Sequence, residues 1–218
     1  MRSADGYRKL AGGYDAFLGE GNLWTRLACK LVWGFPDSAY AGRLLACLPE
    51  GFAGRLLDVP AGTGLFTCEK YSRMKQAEIV CVDYSQRMLD IACRRFEAAG
   101  LQHVVCRQGD AGALDFPDGT FDGALSMNGL HAFPDKEAAL DEIARVLKRR
   151  GIFVGCCYVE GEKWRTDRFI RNVYVPCGWF TPPFMTRGAL RAKLSERYEV
   201  VEWWGVGAIA CFSCIKVR

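Results

Sequence analysis

Several features are scarce in this sequence, and each shortage narrows what the protein can be. There are two histidines in 218 residues, too few for a histidine-rich metal centre. Cys211 and Cys214 form a CxxC, but no second pair stands at zinc-ribbon spacing. The segment from Ile209 to Arg218 reads as a strand, which points those two cysteines to opposite faces. They are therefore expected to be core thiols, and no metal is expected. No stretch is apolar for long enough to cross a bilayer. Met1 to Leu10 has no apolar run, so no signal peptide is expected. Charge of one sign is also in short supply: 29 basic residues face 25 acidic ones, a net charge of +4. That falls short of the basic footprint of a dedicated nucleic-acid binder. There is no internal repeat and no low-complexity segment.

Cysteine is plentiful, at eleven residues. An odd number cannot pair completely within one chain. Cys29, Cys47, Cys81, Cys93 and Cys106 fall inside predicted helices and strands, where a reduced cysteine behaves as a small buried hydrophobe. The length allows a core that needs no disulfide staples. A reducing, cytoplasmic setting is expected.

The first fifty residues read as helices. Asn22 can cap a run through Leu23, Leu27, Leu31 and Val32. Pro36 begins a second run through Leu44, Leu45 and Leu48, ended by Pro49 to Gly51. From Ala53 the pattern alternates. Strands are predicted at Arg55 to Val59, Glu78 to Val82, His103 to Arg107, Phe121 to Met127 and Ile152 to Val159. Helices are predicted from the turn at Ala61–Gly64 to about Lys75, from Ser85 to Ala99, and from Asp135 to Lys148. The basic run Lys148–Arg150 then reads as a solvated helix end, where cations favour the dipole. Alternation of this length implies parallel β-α-β units with helices on both faces. After Glu160 it lapses into an aromatic and proline-rich stretch, a helix at Arg187 to Arg197, and two strands, Tyr198 to Gly205 and Ala208 to Val217. Their tight turn makes them antiparallel. The expected fold is α/β: a doubly wound, mostly parallel, Rossmann-like sheet ending in an antiparallel hairpin.

Three motifs fall at the carboxyl ends of successive strands, where open α/β sheets bind ligands. The first is Leu56-Leu57-Asp58-Val59-Pro60-Ala61-Gly62-Thr63-Gly64, whose glycines let backbone approach a ligand closely. The second is Asp83, 25 residues after Asp58. An acid there can accept both hydroxyls of a ribose. Alone it reads equally as a helix N-cap; beside the glycine-rich turn, ribose binding is favoured. The third is Gly109-Asp110-Ala111, able to hydrogen-bond an adenine edge or to serve as a turn. The pyrophosphate pattern GxGxxG is absent because Pro60 stands at its first glycine position. A nucleoside ligand is therefore expected ahead of a dinucleotide.

The series LLDVPAGTG, VDYSQRMLDIA, QGDAGALDFPDGTFDGALSMNGLHAF and EIARVLKRRGIFVG resembles the class I S-adenosylmethionine (SAM)-dependent methyltransferases. It is most similar in feel to the quinone-biosynthesis C-methyltransferases and their small-molecule relatives. The match covers about Phe52 to Glu160. The resemblance implies that backbone at Pro60, Ala61 and Gly62 lines the methionine part of SAM, and that Asp83 holds the ribose. It further implies that Tyr84 and Met88 flank the adenine, that Asp110 and Ala111 meet its edge, and that Asn128 lies near the methionine portion or the reacting centre. Tyr14 resembles a Tyr-Asp pair of an N-terminal lid, and reads equally as a packing residue. Pro60 departs from the family pattern and costs the loop one amide.

The resemblance makes the whole chain one methyltransferase domain. Residues 1–50 form a helical lid, 52–160 the SAM-binding core, 161–197 an acceptor-cap insertion and 198–218 the terminal hairpin. Proximity alone can drive transfer from a sulfonium. Where a base is needed, His131 is the candidate, with helix packing as its alternative. Trp164, Trp179, Phe180 and Phe184 are expected to line an apolar or aromatic acceptor pocket, with a supporting hydrophobic cluster as the alternative. Thr181-Pro182-Pro183-Phe184 lacks the Asn of the adenine-N6 methyltransferase motif and lies after the wrong strand, so that analogy fails. The expected reaction is methyl transfer from SAM to a small acceptor, leaving S-adenosylhomocysteine. The alternative is a SAM-fold binding or partner protein without turnover. A monomer or homodimer, without nucleic acid, is expected.

Overall fold

The computed structural model describes residues 38–217. The Asn22-capped run and Tyr14 lie outside the described residues. The described chain begins with helix α1 (Ser38–Ala46), whose Tyr40 and Leu44 are buried, as is Leu48 just beyond it. It continues through β1 (Gly54–Asp58), α2 (Cys68–Arg73), β2 (Ala77–Asp83), α3 (Gln86–Ala98), β3 (Val104–Gln108), β4 (Phe121–Met127), α4 (Lys136–Val146) and β5 (Leu147–Tyr158). Then come α5 (Trp164–Phe169), a π-helical turn (Ile170–Tyr174), α6 (Arg187–Ser195), β6 (Tyr198–Val206) and β7 (Ile209–Lys216). The caps follow the sequence: Ser85 accepts from the Met88 amide, Asp135 from that of Ala138 and Thr186 from that of Ala189.

The seven strands form one sheet in the order β3-β2-β1-β4-β5-β7-β6. The first five are parallel; β7 runs antiparallel to both β5 and β6. Gly207 and Ala208 make the two-residue turn between Val206 and Ile209, with Gly207 at φ +57°. The order reverses between β1 and β4, and the crevice at such a point receives ligands.

The period of two divides the strands between two cores. Leu56, Ile79, Cys81, Val154 and Cys211 face α1, α2, α3 and the 161–186 segment. Leu57, Val80, Phe153, Phe212 and Cys214 face α4 and α6. Cys211 and Cys214 thus lie on opposite faces, both fully buried. No disulfide and no metal-competent cluster occurs among the described residues. No helix there is long and apolar enough to cross a membrane.

One element differs from expectation. Lys148–Arg150 is not a helix end: α4 stops at Val146, and the three residues belong to β5. Phe121 pairs with Leu147 but Gly123 with Ile152, so the strand carries an irregularity between these pairs. Arg150 takes φ +67° there, and a side chain at Gly151 would meet the Lys148 carbonyl at 2.8 Å. Lys148 is drawn to Asp122, Nζ to Oδ1 at 2.7 Å.

Candidate functional site

A cavity of about 350 Å³ opens at the carboxyl ends of β1, β2 and β4. Its floor is the glycine-rich turn after β1. Gly62 and Gly64 take φ of +56° and +68°, a region that favours glycine. A side chain at Gly64 would also strike the Phe96 ring at 2.6 Å, whereas the space beside Gly62 is open. Arg95 of α3 holds the loop from behind by donating to the Thr63 carbonyl.

Asp83 ends β2 and is buried. Its Oδ2 accepts from the Gly62 amide at 2.9 Å and its Oδ1 from the Ser85 amide at 2.8 Å. One carboxylate therefore ties the glycine-rich turn to the start of α3. Burial pushes its pKa up, against the two amides that favour the charge. Each oxygen retains acceptor capacity for a ligand hydroxyl.

Asp58, at the end of β1, is the acid that sequence reasoning quoted within the motif without giving it a role. It is 1% exposed and lines the cavity. The Tyr71 hydroxyl donates to its Oδ2 at 2.7 Å, and Cys81 Sγ lies 3.8 Å from the same oxygen. Burial lifts its pKa to about 7, a rise to which nearby Asp83 adds and which the Tyr71 hydrogen bond opposes. Alternation was the available signal: Asp58 follows Leu57 and Leu56 on a central strand, where a charge must face something specific.

The predicted cofactor residues converge. Pro60, Ala61, Gly62, Asp83, Tyr84, Met88, Asp110, Ala111 and Asn128 all line the cavity. Tyr84 is 61% exposed at the rim, while Met88 is buried. Asp110 Oδ1 accepts from the Gly112 amide at 2.8 Å, so the residue also builds its own turn. Asn128 takes φ +55°, and its Nδ2 donates to the Tyr40 hydroxyl at 2.8 Å. Pro60 has a packing role: a side chain at Gly129 would meet Pro60 Cδ at 2.1 Å. Leu65, Phe66 and Phe133 complete an apolar side that the sequence reading did not assign. No Lys, Arg or His lines the cavity among the described residues.

His131 and the insertion aromatics lie elsewhere. His131 is buried and absent from the cavity wall. Its Nδ1 accepts from the Tyr158 amide at 3.1 Å, and its ring stacks on Phe180 at 4.0 Å. Burial, with Lys136 adding to the effect, pushes its pKa down to about 3. A ring with Nδ1 engaged by backbone and one face on Phe180 is placed as the packing alternative has it. Trp164 is 70% exposed, with Arg165 over its ring. Trp179 packs on Tyr174. Phe180 and Phe184 pack on Tyr158. None of the four lines the cavity. The segment instead braces the cavity wall from outside. Thr181 donates its amide to the His131 carbonyl and its hydroxyl to the Ala132 carbonyl, both at 3.0 Å. Lys136 Nζ donates to the carbonyls of Phe133 at 3.1 Å and Thr181 at 2.6 Å.

Comparison with known proteins agrees with this geometry. A family model described as a methyltransferase domain matches residues 56–151. The demethylmenaquinone methyltransferase of Thermobifida fusca is 36% identical over 180 residues, covering 82% of this chain and 69% of that one. That of Thermus thermophilus is 43% identical over 100 residues, covering 46% and 45%. The chain spans about half the length of several curated relatives it matches. The crystal structure of YcgJ from Bacillus subtilis shares the fold at a TM-score of 0.67 and 20% identity, over 84% of this chain and all of that one. With the strand order, the glycine-rich turn and the acid after β2 in one arrangement, the chain belongs to the SAM-dependent methyltransferases.

Proposed function

We propose that the protein transfers a methyl group from SAM to a small apolar or aromatic acceptor. The observation that carries this reading is the cavity wall, which presents Asp58, Asp83 and Asp110 and no cationic side chain among the described residues. Such a wall fits a cofactor whose sulfonium and ammonium are cationic and whose ribose needs an acceptor. It gives the phosphates of a dinucleotide no counter-charge. The open space beside Gly62 allows close approach of the ligand to backbone.

SAM supplies an activated methyl group, so the chain's own residues have to bind, orient and exclude water. Asp83 receives the ribose hydroxyls, Asp58 faces the ammonium, and Asp110 with Ala111 meets the adenine. Leu65, Phe66 and Phe133 provide an apolar surface against which an acceptor can lie. The aromatic segment, including Trp179, Phe180 and Phe184, acts on the acceptor through the Ala132–Pro134 wall that Thr181 and Lys136 hold. The names of the relatives, demethylmenaquinone methyltransferases, support an aromatic acceptor of the quinone class.

The test has two parts. Calorimetry should give SAM or S-adenosylhomocysteine binding of about −7 to −8 kcal/mol, the low-micromolar range. Methyl transfer should then be followed with radiolabelled SAM across reduced quinones and simple phenols. Binding without turnover on any acceptor would favour a cofactor-binding partner protein, and absence of binding would overturn the reading.

A further inference from the structure

The stretch of chain that carries the glycine-rich turn is fastened to itself. Asp58 ends β1, and Tyr71 stands on α2, 13 residues later and wholly buried. Between them runs the turn that floors the cavity. The Tyr71 hydroxyl closes this loop by donating to Asp58 Oδ2 at 2.7 Å, and Cys81 Sγ lies 3.8 Å from the same oxygen. Asp58 lines the cavity and Tyr71 does not. The phenol ring packs on α3, tilted against Phe96 with centroids 5.9 Å apart. A phenylalanine would serve that packing equally well, so the use of the hydroxyl is its hold on the acid. Burial, with the charge of Asp58 adding to it, pushes the phenol's own pKa far up, and the group stays a donor.

We infer, on the reading above that Asp58 faces the SAM ammonium, that Tyr71 is a positioning residue: its hydroxyl fixes the Asp58 carboxylate and favours its charged form. Two effects compete at this acid. A carboxylate at 1% exposure is costly to charge, yet a ligand cation gains only from the charged form. A hydrogen bond donated to the carboxylate offsets part of that cost. Burial accordingly raises the Asp58 pKa, and the Tyr71 hydrogen bond opposes the rise. The other titratable groups facing Asp58 are Asp83 and Cys81 of β2 and Cys106 of β3. Asp83 and Cys106 work against the charge, and the Cys81 thiol works with it. On the other side β4 presents Leu125. No cationic side chain in the described cavity wall shares the task. Of the two donors the phenol is the nearer, and a thiol is the weaker kind.

The test uses the full chain and two ligands: S-adenosylhomocysteine, and methylthioadenosine, which keeps the adenosine and the sulfur but lacks the ammonium. Calorimetry on wild type, Tyr71→Phe, Asp58→Asn and the double variant makes a cycle. Tyr71→Phe should weaken S-adenosylhomocysteine by about tenfold at neutral pH. The loss should shrink as pH rises and Asp58 ionises without help, and binding should release a larger fraction of a proton than in wild type. Methylthioadenosine affinity should not change. In the Asp58→Asn background, Tyr71→Phe should leave both affinities as they are, because the hydroxyl acts through the carboxylate. The double variant has no charge at this position to strand, so its comparison with Asp58→Asn carries the test if Tyr71→Phe alone does not fold. Equal losses for the two ligands, or a further loss in the double variant, would make Tyr71 a structural support of the turn and overturn the inference. Wild-type affinity and pH profile in Tyr71→Phe would overturn it too. If Asp58→Asn has then lost affinity, the role of Asp58 stands without Tyr71; if it has not, both fall.

Discussion

Asp58→Asn separates the two things asked of the buried acid, folding and cofactor binding. In the unligated fold, burial raises its pKa from 3.8 to about 7. A shift of that size corresponds to a differential on the order of 4 kcal/mol between its protonation states. The sign follows from linkage. A raised pKa means the folded chain holds the proton more tightly than the unfolded one. The associated stability is fully present below pH 3.8 and is lost as pH rises through 7. Asp83, also raised by burial, acts in the same direction. Asparagine is close in shape and has no charge to bury. Its carbonyl can still accept from the Tyr71 hydroxyl, which donates to Asp58 at 2.7 Å. The variant should therefore be more stable than wild type at pH 8 and equal to it near pH 4, leaving the smaller pH dependence due to Asp83. Cofactor binding should move oppositely. Loss of a charge-assisted contact with the ammonium weakens S-adenosylhomocysteine by about 1.5–3 kcal/mol. Wild type should release a proton on binding at pH 6.5, because the ligand's cation favours ionised Asp58, and the variant should not. Thermal unfolding across pH and calorimetry in two buffers of different ionisation enthalpy read both effects. A variant less stable than wild type at pH 8, with unchanged affinity and the same proton release, would refute the reasoning.

Three further outcomes are expected. Asp83→Ala should weaken SAM by about 1.5–3 kcal/mol and also lower Tm, because the amides of Gly62 and Ser85 both lose their acceptor; calorimetry and thermal melts report the two, and unchanged affinity in a folded variant would make Asp83 a turn residue only. His131→Ala leaves the Tyr158 amide unpaired and removes a ring stacked on Phe180, so Tm should drop by the equivalent of at least 1–3 kcal/mol, roughly. Any change in kcat should be independent of pH between 6 and 9, about the neutral range, since the ring is uncharged there; a loss that shrinks at high pH would restore the base assignment. Gly129→Ala should be strongly destabilising because its methyl group would meet Pro60 Cδ at 2.1 Å, and Pro60→Gly in the same chain should recover much of the loss, as a double-mutant cycle in Tm would show.

What could be read from the sequence was what repeats or what glycine and charge make locally necessary. The alternation of apolar runs with amphipathic segments determined the parallel units, because a strand buried on both faces must be apolar throughout and a helix only along one stripe. The two-residue turn at Gly207 determined the terminal hairpin. The glycine-rich turn and the acids at the strand ends were legible because the chain alone sets their spacing, and the sheet then brings strand ends together. Where the sequence could not decide, the deciding contact came from a distant segment. Lys148–Arg150 has the composition of a helix end, yet the pairing of Leu147 and Ile152 with β4 on either side carries this stretch into β5. The surroundings of His131 are likewise set from afar, by the Tyr158 amide, 27 residues away, at its Nδ1 and by Phe180 over the ring. Trp164 and Trp179 are both tryptophans in one irregular stretch, but one is exposed and the other packed, a difference no local pattern carries. Burial and hydrogen-bond partnership are properties of the packed chain, and they decide the protonation of Asp58 and His131 because desolvation acts only once distant residues have excluded the water.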